Sequence, residues 1–256
     1  AQPATLTVKN LTVGGTGNID SLSDGVHSGI ACEVEGPAAL TGVTSEIVWN
    51  FSGTSGGGTK LSGMISEITR DGKAVTFDSC TWTGSITDSS SGSSHNAGFL
   101  AYINKAGTNI SVKSCQIAGS ITHEPFAGEA PVGGLIARIQ GSNTTLSIES
   151  LSVSGSSITV LTQWGWGQCG GLLGYEWKDT AATFTGVTIE NSSLKTDRSF
   201  GGLIYKGSGY WKLTEKNGIK FTSGNTFEGK SDDGTPSALL VCNGTENPAL
   251  YLEVLY

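Results

Sequence analysis

Charge is scarce in this sequence. Only 14% of the residues are Asp, Glu, Lys or Arg, and the 15 basic ones are scattered. Nucleic acid, which rewards clustered lysine and arginine, is therefore not an expected partner. The net charge of -7 and pI near 4.9 chiefly favour solubility. Long apolar runs are missing too, so no membrane-spanning segment is expected. Helical periodicity is equally absent: no three-turn window keeps apolar residues at three-and-four spacing without a glycine or a β-branched cluster breaking it. The 5 cysteines lie far apart with no CxxC pair, and His27, His95 and His123 stand at no ligand-like spacing from one another. Zinc is not expected, nor any other metal or cofactor. A charged and apolar leader is lacking at the start, where Ala1-Gln2-Pro3-Ala4 fits a mature end left after leader removal.

What the chain has in quantity is glycine, 38 residues of it, and much of that glycine recurs on a fixed period. A phrase of two small residues and an aliphatic or aromatic starts at Ser28, Ser62, Ala97, Gly133, Gly170, Gly201 and Ser237, at spacings of 34, 35, 36, 37, 31 and 36 residues. Upstream of each copy runs an alternating apolar strand, for example Val75-Phe77, Ile110-Val112 and Leu146-Ile148. A small-residue corner and a short third strand follow it, as in Gly84-Ser85-Ile86-Thr87 and Gly119-Ser120-Ile121-Thr122. Three short strands cannot bury their apolar sides alone, whereas stacked repeats pair every backbone group and close a continuous core. The expected fold is all-β, a right-handed parallel β-helix of about seven coils and about 35 residues per coil, forming a single domain over 1–256. The right hand is the general rule for parallel crossovers. At about 4.8 Å per coil the core is a rod on the order of 34 Å long. The closing alternation 249–256 carries no polar cap, so a cap, a continuation of a longer chain or a partner is expected there.

Connectors of about ten residues, 88–97, 123–132 and 160–169, leave each middle coil at the same point and should gather on one side of the rod. The second aliphatic of each phrase, Ala31, Ile65, Leu100, Ile136, Leu173, Ile204 and Leu240, should point outward by strand alternation. Such a bare stripe needs a cover. The connector residues Pro125, Phe126, Val160, Leu161, Trp164, Trp166 and Phe200 are expected to fold over it as an outer core, with an interface to a second chain as the alternative.

The phrases Gly201-Gly202-Leu203-Ile204-Tyr205 and Phe184-Thr185-Gly186-Val187-Thr188-Ile189-Glu190-Asn191 resemble those of polymorphic outer-membrane and adhesin repeats. The Gly-Gly-Leu-Ile/Leu copies are similar to GLUG repeats of bacterial surface proteins. The resemblance covers roughly residues 72–245. It implies a pectin-lyase-like β-helix on a cell surface, and it carries no catalytic residues with it.

Glu33 and Glu67 fall at equivalent outward positions of neighbouring coils, about 5 Å apart, near the separation of a retaining glycosidase pair. They are the weak catalytic candidates, and the bland reading is two solvated glutamates. Their row continues through Tyr102, Arg138, Tyr175 and Lys206, where Tyr102-Arg138-Tyr175 should form a structural guanidinium sandwich. Trp164 and Trp166, flanked by Gln163 and Gln168, are the ligand-binding candidates, because indoles stack on sugar faces and glutamines bond hydroxyls. Cys80 and Cys115 share an inward row, as a buried thiol ladder or a disulfide. Cys32 is expected inward, Cys242 outward and Cys169 more exposed. The turn Asp232-Asp233-Gly234 lacks the further acids of a calcium loop. Asn10, Asn50, Asn109, Asn143, Asn191 and Asn243 each open a glycosylation sequon, where chance supplies roughly three. Together these features lead to the expectation of an exported, extracellular, non-enzymatic adhesin or stalk. Its partners would be a cell-surface or host glycan or protein, or further copies of itself; a polysaccharide lyase or glycosidase of the same architecture is the alternative.

Overall fold

The computed structural model describes residues 4–20, 24–54, 58–124, 127–161, 164–176, 180–197, 200–207, 214–215, 219–229 and 252–254, with backbone alone at 127, 164–166, 176, 206–207, 214–215 and 252–254. Among them every regular element is a strand. Among the described residues no helix is long and apolar enough to cross a membrane. Sheet neighbours belong to successive turns and run parallel. The protein is a parallel β-solenoid of about five turns with about 36 residues per turn. Seven coils were expected. Six copies of the glycine phrase bound five turns, and the copy at Ser237 lies outside the described residues.

Four sheets wall the solenoid. The first collects the alternating strands Leu6–Lys9, Ala38–Thr41, Ala74–Asp78, Asn109–Lys113, Thr144–Glu149, Thr180–Thr185 and Thr214–Glu215. Their register stacks like on like: Val75 on Ile110 on Leu146 on Ala182. A side chain of that kind is worth about 1.5–3 kcal/mol when fully buried. After the first wall the chain turns through a left-handed residue in each coil, Asn10, Gly42, Ser79, Ser114, Ser150 and Gly186. The amides there bond the next coil at 2.8–2.9 Å, from Asn10 N to Thr41 O through Ser150 N to Thr185 O.

The second sheet begins as the single long strands Thr12–Ile19 and Thr44–Phe51. One turn later the same path is broken into Thr81–Trp82 and Ser85–Asp88, then Gln116–Ile117 and Ser120–His123. Trp82 is fully buried at this corner, and its indole reaches across the interior to the glycine phrases. A Cβ on Gly119 would stand 2.8 Å from the Trp82 ring, and one on Gly98 only 2.3 Å.

Each glycine phrase is itself a corner between two sheets, not one strand. The third sheet holds Val26–Ser28, Thr59–Ser62, Ser94–Ala97, Ala127–Gly133, Trp164–Gly170 and Phe200–Gly201. The fourth holds Ala31–Val34, Ile65–Ile68, Leu100–Ile103, Ile136–Ile139, Leu173–Glu176 and Ile204–Gly207. Because the chain bends between them, strict alternation fails and two consecutive aliphatics both enter the core. Leu135 and Ile136 are buried together, as are Phe99 with Leu100, Leu172 with Leu173, and Leu203 with Ile204. The expected outward stripe is thus corrected. Ile65, Leu100, Ile136, Leu173 and Ile204 belong to the one main core, Ala31 packs against it half-buried, and Leu240 lies outside the described residues. No outer lid is needed. Val160 and Phe200 are inside that same core, Leu161 is half-exposed, and Pro125 and Phe126 lie outside the described residues.

The connectors differ from expectation for a related reason. In two coils they extend the third sheet: Ala127–Gly133 pairs with Trp164–Gly170 over seven residues, from Ala127 against Trp164 to Gly133 against Gly170. The cysteines divide accordingly. Cys169 pairs in register with Val132 and Phe200 and is fully buried, not exposed. Cys32 is exposed, not inward, since it stands between Ala31 and Glu33 just past the corner. Cys80 and Cys115 are free and stacked, with the Cys80 amide donating to Cys115 Sγ at 3.4 Å. Cys242 lies outside the described residues.

Candidate functional site

The third and fourth sheets meet at the glycine corner in a concave angle whose vertex is bare backbone. A Cβ on Gly170 would lie 1.8 Å from Leu173 O, and one on Gly174 2.6 Å from both Ala137 O and Val132 O. At these two positions glycine alone lets the two walls close so sharply, and the equivalent residues of the earlier turns, such as Ala97 and Ser62, are small. Each wall presents a row of outward side chains along the solenoid axis.

On the fourth sheet the row is the expected one: Glu33 stands against Glu67, Glu67 against Tyr102, Tyr102 against Arg138, Arg138 against Tyr175, and Tyr175 against Lys206. Arg138 Cζ lies 5.9 Å from the Tyr102 ring centre and 5.3 Å from that of Tyr175, so the guanidinium sandwich is present. The facing row, on the third sheet, was not anticipated. It runs Lys60, His95, Pro131 and Gln168 by register. Each of its members precedes its partner on the opposite wall by seven residues: Lys60 and Glu67, His95 and Tyr102, Pro131 and Arg138, Gln168 and Tyr175. That constant offset across the corner was the available signal.

The two walls touch. Lys60 Nζ is 3.3 Å from Glu67 Oε2 and 5.2 Å from the centre of the Tyr102 ring. His95 packs on Tyr102 with ring centres 5.0 Å apart. Arg138 Nη1 donates to Glu129 Oε2 at 2.7 Å and to His95 Nε2 at 3.3 Å. Tyr102 donates its hydroxyl to Gln140 Oε1. Burial, reinforced by the Arg138 and Lys60 charges, pulls His95 down to about 3 and keeps it neutral as an acceptor. Burial pushes the Tyr102 phenol above its ordinary value, with Glu67 and Glu129 adding to the push and Arg138 opposing it. Three side-chain atoms of the groove residues have no hydrogen-bond partner among the described residues, His95 Nδ1, Arg138 Nε and Gln168 Oε1.

A second cluster lies inside the solenoid, where the ends of second-sheet strands meet Ser94 and Asn96 of the third-sheet strand Ser94–Ala97. Asp88 and His123 are fully buried, one turn apart in register, in a row otherwise formed by Phe51, Val160 and Thr196. His123 Nδ1 stands 3.0 Å from Asp88 Oδ2. The same carboxylate accepts from Asn96 Nδ2 at 2.9 Å, from the Ser94 hydroxyl, and from the Ser90 amide at 3.0 Å. Burial alone would raise the Asp88 pKa. The His123 charge and the hydrogen bonds from His123, Asn96 and Ser94 outweigh it and hold the group below the usual carboxylate range. His123 Nε2 has no partner among the described residues.

The candidates read from sequence fare unevenly. Glu33 and Glu67 do pair in register, but Glu67 is engaged by Lys60 and Glu33 is exposed. Gln168 is buried at the groove, Trp164 and Trp166 lie in strand paired with Ala127 and Glu129, and Gln163 lies outside the described residues. Asn10, Asn50, Asn109, Asn143 and Asn191 are exposed. Asn243 and the turn at Asp232 fall outside the described residues. Among the described residues no group of three His, Cys, Asp or Glu side chains could hold a metal ion.

The fold and the groove define the class of protein, an all-β parallel β-solenoid with two facing side-chain rows along its axis. Comparison with protein-family models, with curated proteins and with solved structures gives no match.

Proposed function

We propose that the chain is an exported, non-enzymatic β-solenoid of a cell surface, serving as adhesin or as part of a stalk or filament. Within this reading it stands with the pectin-lyase-like surface repeats of the polymorphic outer-membrane and GLUG type. The observation that carries the reading is the state of the groove charges. Lys60 is paired with Glu67, and Arg138 with Glu129. A retaining glycosidase needs two carboxylates free to act on one bond about 5 Å apart. Glu67 bound to Lys60 does not offer that. Extracellular placement is supported by five exposed sequon asparagines, all free of burial against the core.

A second reading has one observation in its favour. Lys60, His95, Tyr102 and Arg138 converge from two walls across neighbouring turns, as a polysaccharide lyase or glycosidase site would. One experiment separates the two. Wild type and a Glu33→Gln/Glu67→Gln variant are assayed on acidic and neutral glycans for reducing ends and unsaturated products, beside a Trp164→Ala/Trp166→Ala variant on a glycan array. The expected result is no turnover by any form, with glycan retention that weakens in the tryptophan variant. Turnover by wild type, lost in the glutamate variant, overturns the adhesin reading in favour of the enzyme.

A further inference from the structure

Arg138 is held in an unusual way for a surface cation. Its side chain is only 12% exposed, lies between the rings of Tyr102 and Tyr175, and is covered by Glu129, which is 45% exposed. The cover is made through one nitrogen, Nη1, at 2.7 Å. A guanidinium is a planar fork of five donors that fits a carboxylate or sulfate with two parallel bonds. Here Nε on the same group has no partner among the described residues, and neither has Gln168 Oε1 beside the next ring of the row. The sandwich fixes the plane of the fork in advance, which lowers the ordering cost of any ligand.

From this we infer that Glu129 is an internal stand-in for the acid group of a ligand, and that Arg138 is the docking point for a carboxylate- or sulfate-bearing saccharide lying along the groove. The inference rests on the adhesin reading and names its ligand class. A saccharide suits the site better than a peptide does. The strands of both walls have their backbone groups committed to sheet ladders, so no extended peptide can add to them by main-chain bonds. Side chains must do the recognition: the fork for the acid, and the Gln168 amide oxygen for a hydroxyl. The protein carries a net charge of -7, and Lys60 and Arg138 are each matched by a carboxylate, Glu67 and Glu129. Attraction is therefore short-ranged, and binding falls as salt rises.

The test uses the whole chain in calorimetric titrations with an oligogalacturonate, its methyl ester, a sulfated oligosaccharide and polyglutamate. Melting curves accompany each variant. Glu129→Gln frees the fork, and its affinity for the oligogalacturonate or the sulfated chain is expected to rise about fivefold. Arg138→Gln is expected to lower it roughly tenfold or more, and Arg138→Lys to recover only part, since charge returns without the fork. Should Arg138→Gln unfold, the gain in Glu129→Gln still decides. Equal binding of the methyl ester, equal binding of polyglutamate, or an unchanged affinity in Glu129→Gln overturns the inference. Glycan retention that none of these variants alters overturns the groove as the site while leaving the adhesin reading standing. Absence of binding to every acidic probe overturns the acidic ligand, and the glycan array then tests the adhesin reading alone.

Discussion

Replacing His123 with Val, the residue that follows it in its own row at Val160, tests how the buried pair inside the solenoid is stabilised. The substitution leaves the Asp88 carboxylate fully buried with neutral donors only: Asn96 Nδ2, the Ser94 hydroxyl and the Ser90 amide. Leaving a buried carboxylate without its closest partner costs up to about 3–5 kcal/mol, because the remaining charge has lost its compensation. Asp88→Val alone deprives the Ser94 hydroxyl and the Ser90 amide of their acceptor, at about 1–3 kcal/mol for an unmet group. The double replacement removes the carboxylate and its His123 partner together. It should therefore be less destabilised than the two singles sum to, by at least about 1 kcal/mol.

The pair also sets an acid limit. Asp88 is depressed in the folded state, so the stability it gives is present above its unfolded value near 3.9 and is lost as pH falls toward the folded one. Urea unfolding of wild type, both singles and the double, at pH 7 and at steps below about pH 4, reads both effects. Single-mutant costs that add within about 0.5 kcal/mol, together with an acid limb unchanged in Asp88→Val, refute the reasoning.

His95 should dominate a different pH window. Its folded value of about 3 lies below the ordinary 6.5, so below about pH 6.5 the unfolded chain binds a proton that the folded one refuses. Stability should then fall by about 1.4 kcal/mol per pH unit from there toward about 3. His95→Gln, which copies Gln168 at the matching position of the groove, should flatten that limb in the same urea series. At the vertex, Gly170→Ala places a methyl 1.8 Å from Leu173 O, a backbone atom that cannot swing aside. A cost of about 3 kcal/mol or more is expected by thermal melting, and a melting point within error of wild type contradicts the sharp corner.

What could be read from the sequence follows from how a solenoid repeats. Residues such as Val75, Ile110 and Leu146 recur at the turn length with the same inward parity, so the walls and the core are written as a period. Corners are harder, because the two small residues that let the chain bend say nothing of the angle. Strict alternation carried through Gly134-Leu135 sends Ile136 outward, whereas the bend turns it in, and the same slip misplaced Cys32. The side-chain row on the fourth sheet was legible because its members share one position of the repeat. Its partner row required knowing that the chain folds back at the glycine, so that residues seven apart face each other. Asp88 and His123 stood 35 residues apart and were passed over for a related reason. Local ligand-like spacings do not apply where nearest neighbours are a full turn away.

That distance between sequence neighbours and spatial neighbours explains why the polar features concentrate on one strand. Ser94–Ala97 is a short strand of alternating faces, and it joins both clusters. His95 goes outward to accept from Arg138, and Asn96 goes inward to donate to Asp88. All four residues of that strand are buried, so neither face can gain solvent when its partners are lost. The Leu61 and Val132 positions on either side of Asn96 are apolar, which makes the asparagine a choice for Asp88 and not a feature of the repeat. An inward polar residue in an apolar row is costly unless satisfied, and the Asn96 amide nitrogen finds its partners only in the neighbouring row of the second sheet, while its Oδ1 has none among the described residues. The buried pair therefore ties the second sheet to the third at the place where the groove needs its outer wall held in register. A solenoid that stacked by apolar ladders alone would leave that register to shape; here Asp88, Asn96 and His123 fix it by charge and hydrogen bonding.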